Sequence, residues 1–184
     1  MIKTDIIVIG AGPTGLFTVF EAGLLGLKCH IIDSLVKPGG QCSEIYPNKP
    51  IYDIPAYPEI MAGDLINKLL DQIKPFNPGY TMGESAVELK KSDGEFIITT
   101  DKNTKIKGKV VAIAGGLGNF EPRKPNLENI DKYEENGLVY KIINKDDFQD
   151  KNVIISGGGD LSLIHISEPT RQAEMSYAVF CVKK

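Results

Sequence analysis

The hydrophobic pattern changes period several times along the chain, and each change marks an element. Asp5-Ile6-Ile7-Val8-Ile9 is an apolar run of strand length, the pattern of a strand buried on both faces of a parallel sheet. It runs into Gly10-Ala11-Gly12-Pro13-Thr14-Gly15 and then into Leu16-Phe17-Thr18-Val19-Phe20-Glu21-Ala22, which reads as a helix. A second apolar strand, Cys29-His30-Ile31-Ile32, ends in Asp33. A helix is predicted from about Gly63 to Ile73, with Leu65, Ile66, Leu69, Leu70 and Ile73 on one face. Met82 to Leu89, Glu95 to Thr100 and Lys105 to Lys107 read as strands, the first two joined through Lys91-Ser92-Asp93-Gly94. Val110-Val111-Ala112-Ile113-Ala114 returns to the buried-strand pattern and ends in Gly115-Gly116-Leu117-Gly118. After a more polar stretch from Asn126 to Asp150, Asn152-Val153-Ile154-Ile155-Ser156 is a further buried strand, running into Gly157-Gly158-Gly159-Asp160.

Strand, glycine turn, helix and second strand form the order of a Rossmann-like α/β unit, interrupted here by an antiparallel meander. The first turn matches Gly-x-Gly-x-x-Gly. Gly10 permits a tight turn, Gly12 lets backbone approach a pyrophosphate, and Gly15 lets the helix pack close to the strand. The helix N-terminus offers free amide donors to the anion, and Asp33 is placed to bond an adenosine ribose. The cluster at Gly157 to Asp160 repeats this logic about 150 residues later, and two facing nucleotides suggest hydride transfer between a flavin and a nicotinamide. Between the strands, Pro47, Pro50, Pro55 and Pro58 stiffen a long loop that carries Tyr46, Tyr52 and Tyr57. These tyrosines either wall a planar ring system or cover core surface.

Composition narrows the class. The chain has 184 residues, 42% hydrophobic and 24% charged, enough for a globular core. A net charge of −3 without a basic run argues against nucleic acid or an anionic membrane as main partner. No signal peptide or membrane-length apolar stretch is seen, and Cys29, Cys42 and Cys181 show no metal spacing, so the cytoplasm is the expected compartment. Cys42 reads as a buried free thiol and His30 as a packing residue.

Taken together, residues 1 to 160 resemble the N-terminal half of a ferredoxin–NADP reductase of the thioredoxin-reductase-like class. The resemblance is carried by Gly10 to Gly15 with Asp33, Pro38-Gly39-Gly40-Gln41, Ile45-Tyr46-Pro47 and Ile51-Tyr52-Asp53-Ile54-Pro55. Ala114 to Pro125, with Gly118-Asn119-Phe120-Glu121-Pro122-Arg123, and Gly157 to Asp160 complete it. It implies a two-domain flavoprotein, here truncated, that uses FAD and NADPH, passes electrons to ferredoxin or flavodoxin, and forms a homodimer. It also implies FAD contacts at Thr14, Asp33, Gln41, Tyr46, Phe120 and the backbone of Val87, a nicotinamide nucleotide at Gly157 and Gly159, and no catalytic side chain. Arg123-Lys124 is a candidate contact for an acidic ferredoxin, or solvated surface. Thioredoxin reductase shares the architecture but needs a Cys-x-x-Cys pair, and residues 119 to 159 contain no cysteine. A flavoprotein with another acceptor and a non-catalytic nucleotide-binding module are the alternative readings.

The implied domains are residues 1–120, the first segment of an FAD-binding domain, and 121–160, the start of an NAD(P)H-binding domain. Residues 161–184 depart from the pattern. Leu161 to Arg171 resembles the translation of a transposon-end sequencing adapter and Ser176 to Cys181 its flow-cell end, so this tail is expected to be non-native. Ser167-Glu168-Pro169-Thr170 also resembles a helix start. The chain alone is expected to bind FAD weakly or not at all and to lack NADPH-dependent electron transfer.

Overall fold

The computed structural model describes residues 1–118, 128–134, 137–140 and 154. The chain divides into two compact units, Met1–Asn119 and Phe120–Lys184.

In the first unit the strands are β1 (Ile2–Lys3), β2 (Ile6–Ile9), β3 (Cys29–Asp33), β4 (Pro50–Ile51), β5 (Ile60–Met61) and β6 (Gly79–Met82), followed by β7 (Ala86–Ser92), β8 (Glu95–Thr100), β9 (Lys105–Gly108) and β10 (Val110–Ile113). The helices are α1 (Pro13–Leu24), α2 (Gln41–Glu44) and α3 (Ala62–Ile73). Strands β10-β2-β3-β6 form a wholly parallel sheet. A second sheet, β1-β9-β8-β7, is the meander, antiparallel except where β1 runs parallel to β9. Strands β4 and β5 pair as a short antiparallel ribbon.

Period-two alternation along β2 and β3 sorts their side chains into two cores. Val8 and Ile31 face the helices, where Leu16 and Val19 of α1 and Ile66 and Ile73 of α3 join them in one buried cluster. Ile7 and Ile32 face the other way and pack on Ile98 and Ile106 of the meander. The central strands β2 and β3 are thus covered on both faces, whereas Val110 and Ile113 of β10 are 51% and 76% exposed. Each fully buried isoleucine contributes about 1.5–3 kcal/mol, so the two cores, rather than helix propensity, hold the layers.

The chain crosses between the sheets twice at one place. The Asp5 carbonyl accepts from the Lys109 and Val110 N–H groups at 3.0 and 3.2 Å, and the Asp5 carboxylate takes the Lys28 N–H at 3.0 Å and the Lys109 ammonium at 3.1 Å. These bonds, the Lys28 N–H first, hold the Asp5 carboxyl below its usual range.

Two readings from the sequence need correction. Met82 to Leu89 is not one strand: Gly79–Met82 joins the parallel sheet beside β3, and a turn at residues 83–85 separates it from β7. Glycine is required at position 79, because a Cβ there would lie 2.3 Å from the Nδ1 of buried His30. The β7–β8 hairpin closes through two residues rather than four. Ser92 pairs with Glu95, and Asp93 and Gly94 take φ of 53° and 79°, the left-handed pair a tight hairpin needs. His30 is a packing residue as expected, its Nε2 2.7 Å from the Thr81 hydroxyl, and burial pushes its pKa down.

Among the described residues of the second unit, Ile130–Lys132 form a single 3-10 turn, Leu138 is buried, and the Tyr140 hydroxyl donates to Glu134 Oε1 at 2.8 Å.

Candidate nucleotide-binding site

The end of β2 and the start of α1 make the first part of the site. Gly10 has φ +105°, and a Cβ there would lie 2.2 Å from the Ala114 carbonyl oxygen, so only glycine lets β2 turn this closely past the end of β10. At Gly15 a Cβ would lie 1.8 Å from the Gly10 carbonyl oxygen. Gly12 is the opposite case, with nothing within 4 Å of its ideal Cβ. The first and third glycines are therefore demanded by the protein's own packing. The second faces open space that a close-lying ligand can use.

Gly12 is also the N-cap of α1 and provides no side-chain cap, while Pro13 occupies the first turn. The first-turn N–H groups have no intrahelical acceptors and carry the positive end of the helix dipole. An open cleft of about 540 Å³ borders this terminus, lined by Thr14 and by Ile113 to Gly118 at the end of β10. A larger groove of about 620 Å³ runs along α3, but Glu59, Asp64 and Asp71 line it and would repel a diphosphate.

Asp33 ends β3 beside the glycine turn. Its Oδ2 accepts the Ala11 N–H at 2.6 Å and its Oδ1 the Leu35 N–H at 2.8 Å. Both oxygens are held in place by backbone donors, and each keeps lone-pair capacity for a ligand hydroxyl.

Gln41 opens the short helix α2 after the turn at Pro38 to Gln41, and Tyr46 follows the end of that helix. Gly39 N–H donates to the Ala11 carbonyl at 2.9 Å, and a Cβ on Gly40 would lie 3.2 Å from Gly12 Cα. The second glycine turn is thus strapped onto the first. The Tyr46 hydroxyl donates to Gln41 Oε1 at 3.2 Å, and Gln41 Nε2 lies 3.9 Å from the Cβ position of Gly116. Gln41 therefore lies beside Gly116, one of the residues that line the cleft. Tyr46 is half-buried against the helical core, and its phenol is pushed up, mainly by burial. Tyr52 is 66% exposed and Tyr57 39%, so neither covers the core.

Cys42 is buried in the helical core and burial raises its thiol pKa, which suits an inert side chain and not a thiolate nucleophile. Val87 lies on β7 and is 63% exposed. Phe120, Gly157 and Gly159 lie outside the described residues, as do Arg123-Lys124, the strand at 152–156, Cys181 and the tail 161–184. No group of three or more His, Cys, Asp or Glu that could hold a metal occurs among the described residues. No helix among them is long and apolar enough to cross a membrane.

The arrangement fits a dinucleotide such as FAD. A diphosphate has an uncapped helix terminus and a glycine with open space above it, and a ribose has a fixed carboxylate. A parallel sheet with this turn at the carboxyl end of its strand is the nucleotide-binding class of α/β fold.

Comparison with known proteins agrees with that class. Residues 4–168 match the family model described as pyridine nucleotide-disulphide oxidoreductase, and the chain belongs to this family. Among curated relatives, a ferredoxin–NADP reductase of Christiangramia forsetii is 64% identical over 164 residues, 89% of this chain and 46% of the relative. That of Flavobacterium johnsoniae is 62% identical over 164 residues, 89% of this chain and 47% of the relative. The chain spans about half the length of the curated relatives it matches. Among solved structures, Lactococcus lactis thioredoxin reductase superposes with a TM-score of 0.59 at 21% identity, over 75% of this chain and 43% of that one, which shows the shared fold.

Proposed function

We propose that Met1–Asn119 forms the first segment of an FAD site in a ferredoxin–NADP reductase that passes electrons from NADPH to ferredoxin or flavodoxin. The observation that carries this is the contrast among the three glycines at the start of α1. Two are filled by the protein's own backbone, and one is left open beside an uncapped helix terminus and a fixed carboxylate. The relatives' name, at 62–64% identity, supports the choice of reaction.

In this reading the Thr14 and Gly15 amides hold the pyrophosphate, Asp33 the adenosine ribose, and Gln41 and Tyr46 border the flavin. The Val87 backbone serves the adenine, while Phe120, Gly157 and Gly159 complete the flavin and nicotinamide sites. FAD supplies the exchange between two-electron and one-electron carriers. The protein orients and excludes water, so no side chain is assigned as acid, base or nucleophile. A homodimer and a cytoplasmic location belong to the same proposal. So do the assignment of residues 121–160 to an NAD(P)H-binding domain and of 161–184 to a non-native tail.

The test is titration of the purified chain with ADP, FAD and FMN. ADP carries the ribose and diphosphate that the first unit is built to hold, whereas FMN lacks adenosine and the second phosphate. Saturable binding of ADP and FAD, with FMN much weaker, supports the reading, and preference for FMN overturns it. The chain by itself is expected to hold FAD weakly and not to oxidise NADPH. Stoichiometric bound flavin that NADPH bleaches would contradict that expectation.

A further inference from the structure

The turn between β8 and β9 closes its own hairpin and also bonds to the connection that leads out of β6. Thr100, only 1% exposed, donates its hydroxyl to Glu84 Oε2 at 2.6 Å and accepts the Thr104 N–H at 3.0 Å. Asp101 exchanges two bonds with Ser85: its N–H donates to the Ser85 carbonyl at 2.9 Å, and its Oδ1 accepts the Ser85 N–H at 3.0 Å. The residues gripped in this way, Glu84 and Ser85, belong to the connection between β6 and β7.

That connection also bonds to the strand end that carries Asp33. Glu84 N–H donates to the Asp33 carbonyl at 3.1 Å, and Gly83 N–H to the Leu35 carbonyl at 2.9 Å. Gly83 has φ +69°, and its Cβ position lies 3.4 Å from Val36 Cγ1 and 4.0 Å from Lys102 Nζ. The chain of contacts therefore runs from the hairpin turn through Glu84 and Ser85 to the carbonyls of Asp33 and Leu35, the backbone that leads away from the Asp33 carboxylate. In the dinucleotide reading the ribose is held by Asp33 and the adenine by the Val87 backbone, and the connection that this network fixes joins those two positions.

We propose that the β8–β9 turn is a clasp for the adenosine end of the nucleotide site, with Glu84, Thr100 and Asp101 as its positioning residues. The proposal rests on the dinucleotide reading above and adds that a meander outside the parallel sheet sets the affinity for the base-bearing half. The Thr100 hydroxyl bond, foremost among several contacts, also holds the Glu84 carboxyl below its usual range, so the clasp accepts through a carboxylate at neutral pH.

The experiment titrates the isotope-labelled 184-residue chain with ADP and, separately, with inorganic pyrophosphate, following backbone amide shifts. Pyrophosphate probes the glycine turn alone, and ADP probes the turn and the adenosine end together. Glu84→Ala and Asp101→Ala are each expected to weaken ADP about tenfold and pyrophosphate by less than about twofold, and Glu84→Gln, whose Oε1 still accepts from Thr100, to stay within about threefold of wild type for ADP. Retained ADP affinity in both alanine variants overturns the clasp, and so does an equal loss for ADP and pyrophosphate, the pattern of a general structural defect. If wild type binds neither probe, the dinucleotide reading itself fails, and the clasp falls with it.

Discussion

The sharpest prediction concerns two glycines three residues apart, at which the same added methyl group should have opposite consequences. At Gly15 an ideal Cβ lies 1.8 Å from the Gly10 carbonyl oxygen, 3.0 Å from its carbon and 3.4 Å from Val8 Cγ1. The nearest neighbour is backbone in a tight turn and cannot swing aside. To restore even the 3.0 Å that real Cβ contacts observe, α1 must move away from β2 by about 1.2 Å. A gap of 0.5–1 Å already forfeits about a quarter to a half of each dispersion contact, and Leu16 and Val19 both pack through this face. Helix propensity returns up to about 1 kcal/mol on replacing glycine with alanine, leaving Gly15→Ala destabilised by about 2–4 kcal/mol. In a domain of this size that lowers the melting temperature by about 5–15 °C. At Gly12 nothing lies within 4 Å and φ is −73°, so Gly12→Ala should cost no more than about 0.5–1 kcal/mol, the margin by which alanine is a poorer N-cap than glycine. Its methyl instead occupies the approach to the first-turn amides and should weaken ADP at least about tenfold. Thermal melts by circular dichroism and ADP titration, run on both variants, check the pair. A Gly12→Ala chain that binds ADP like wild type, or a Gly15→Ala chain that melts like wild type, would refute the reasoning.

Further outcomes follow from the same contacts. Asp33→Ala leaves the Ala11 and Leu35 N–H groups without their acceptor and should cost about 1–3 kcal/mol in urea unfolding while abolishing ADP binding. His30 has its pKa lowered by burial, so the unfolded chain binds its proton more readily; stability should fall as pH drops through about 6.5 toward the lower folded value. Replacing His30 with glutamine should flatten urea midpoints over that window. The carboxyls of Asp5 and Glu84, both shifted down, keep their contribution until the pH falls below the usual carboxylate range, through their lowered values. Gly23→Ala places a Cβ 2.3 Å from the Phe76 ring and should cost about 1–3 kcal/mol, most of it recovered in a double variant with Phe76→Leu. Cys42, buried in the helical core, should react with a thiol reagent far more slowly in the native chain than in urea.

The parallel sheet was legible in the sequence because burial on both faces leaves an unmistakable mark. Ile6–Ile9 stands out as an unbroken apolar run, Cys29–Asp33 as one interrupted by His30 and ended by Asp33, and helix α3 by its spacing. Elements set by long-range pairing were not legible. β1 is two residues of exposed chain that become strand only by bonding to β9, and α2 is four residues organised by the strap between Gly39 and Ala11. The join of β6 and β7 was read as one strand because Met82 and Ala86 both continue an apolar pattern, although they serve different sheets. At the site, Gly10, Gly12, Gly15 and Asp33 were legible because their spacing encodes a local turn. The clasp at Glu84 and Thr100 was not, since a hydroxyl and a carboxylate 16 residues apart leave no periodic trace. Gln41 and Tyr46 lie between these cases: the resemblance named them, and the structure bonds them to each other and sets Gln41 near Gly116, through a turn that no hydrophobic pattern announces.

If the first unit is built around the diphosphate and ribose of a dinucleotide, amide-resolved titration of the chain with ADP will show it. Saturable shifts should be confined to the amides of Gly10 to Leu16, Asp33 to Val36 and Gly83 to Val87, with FMN leaving the last two groups unmoved. Shifts clustered on the groove along α3, or none at saturating ADP, would contradict it.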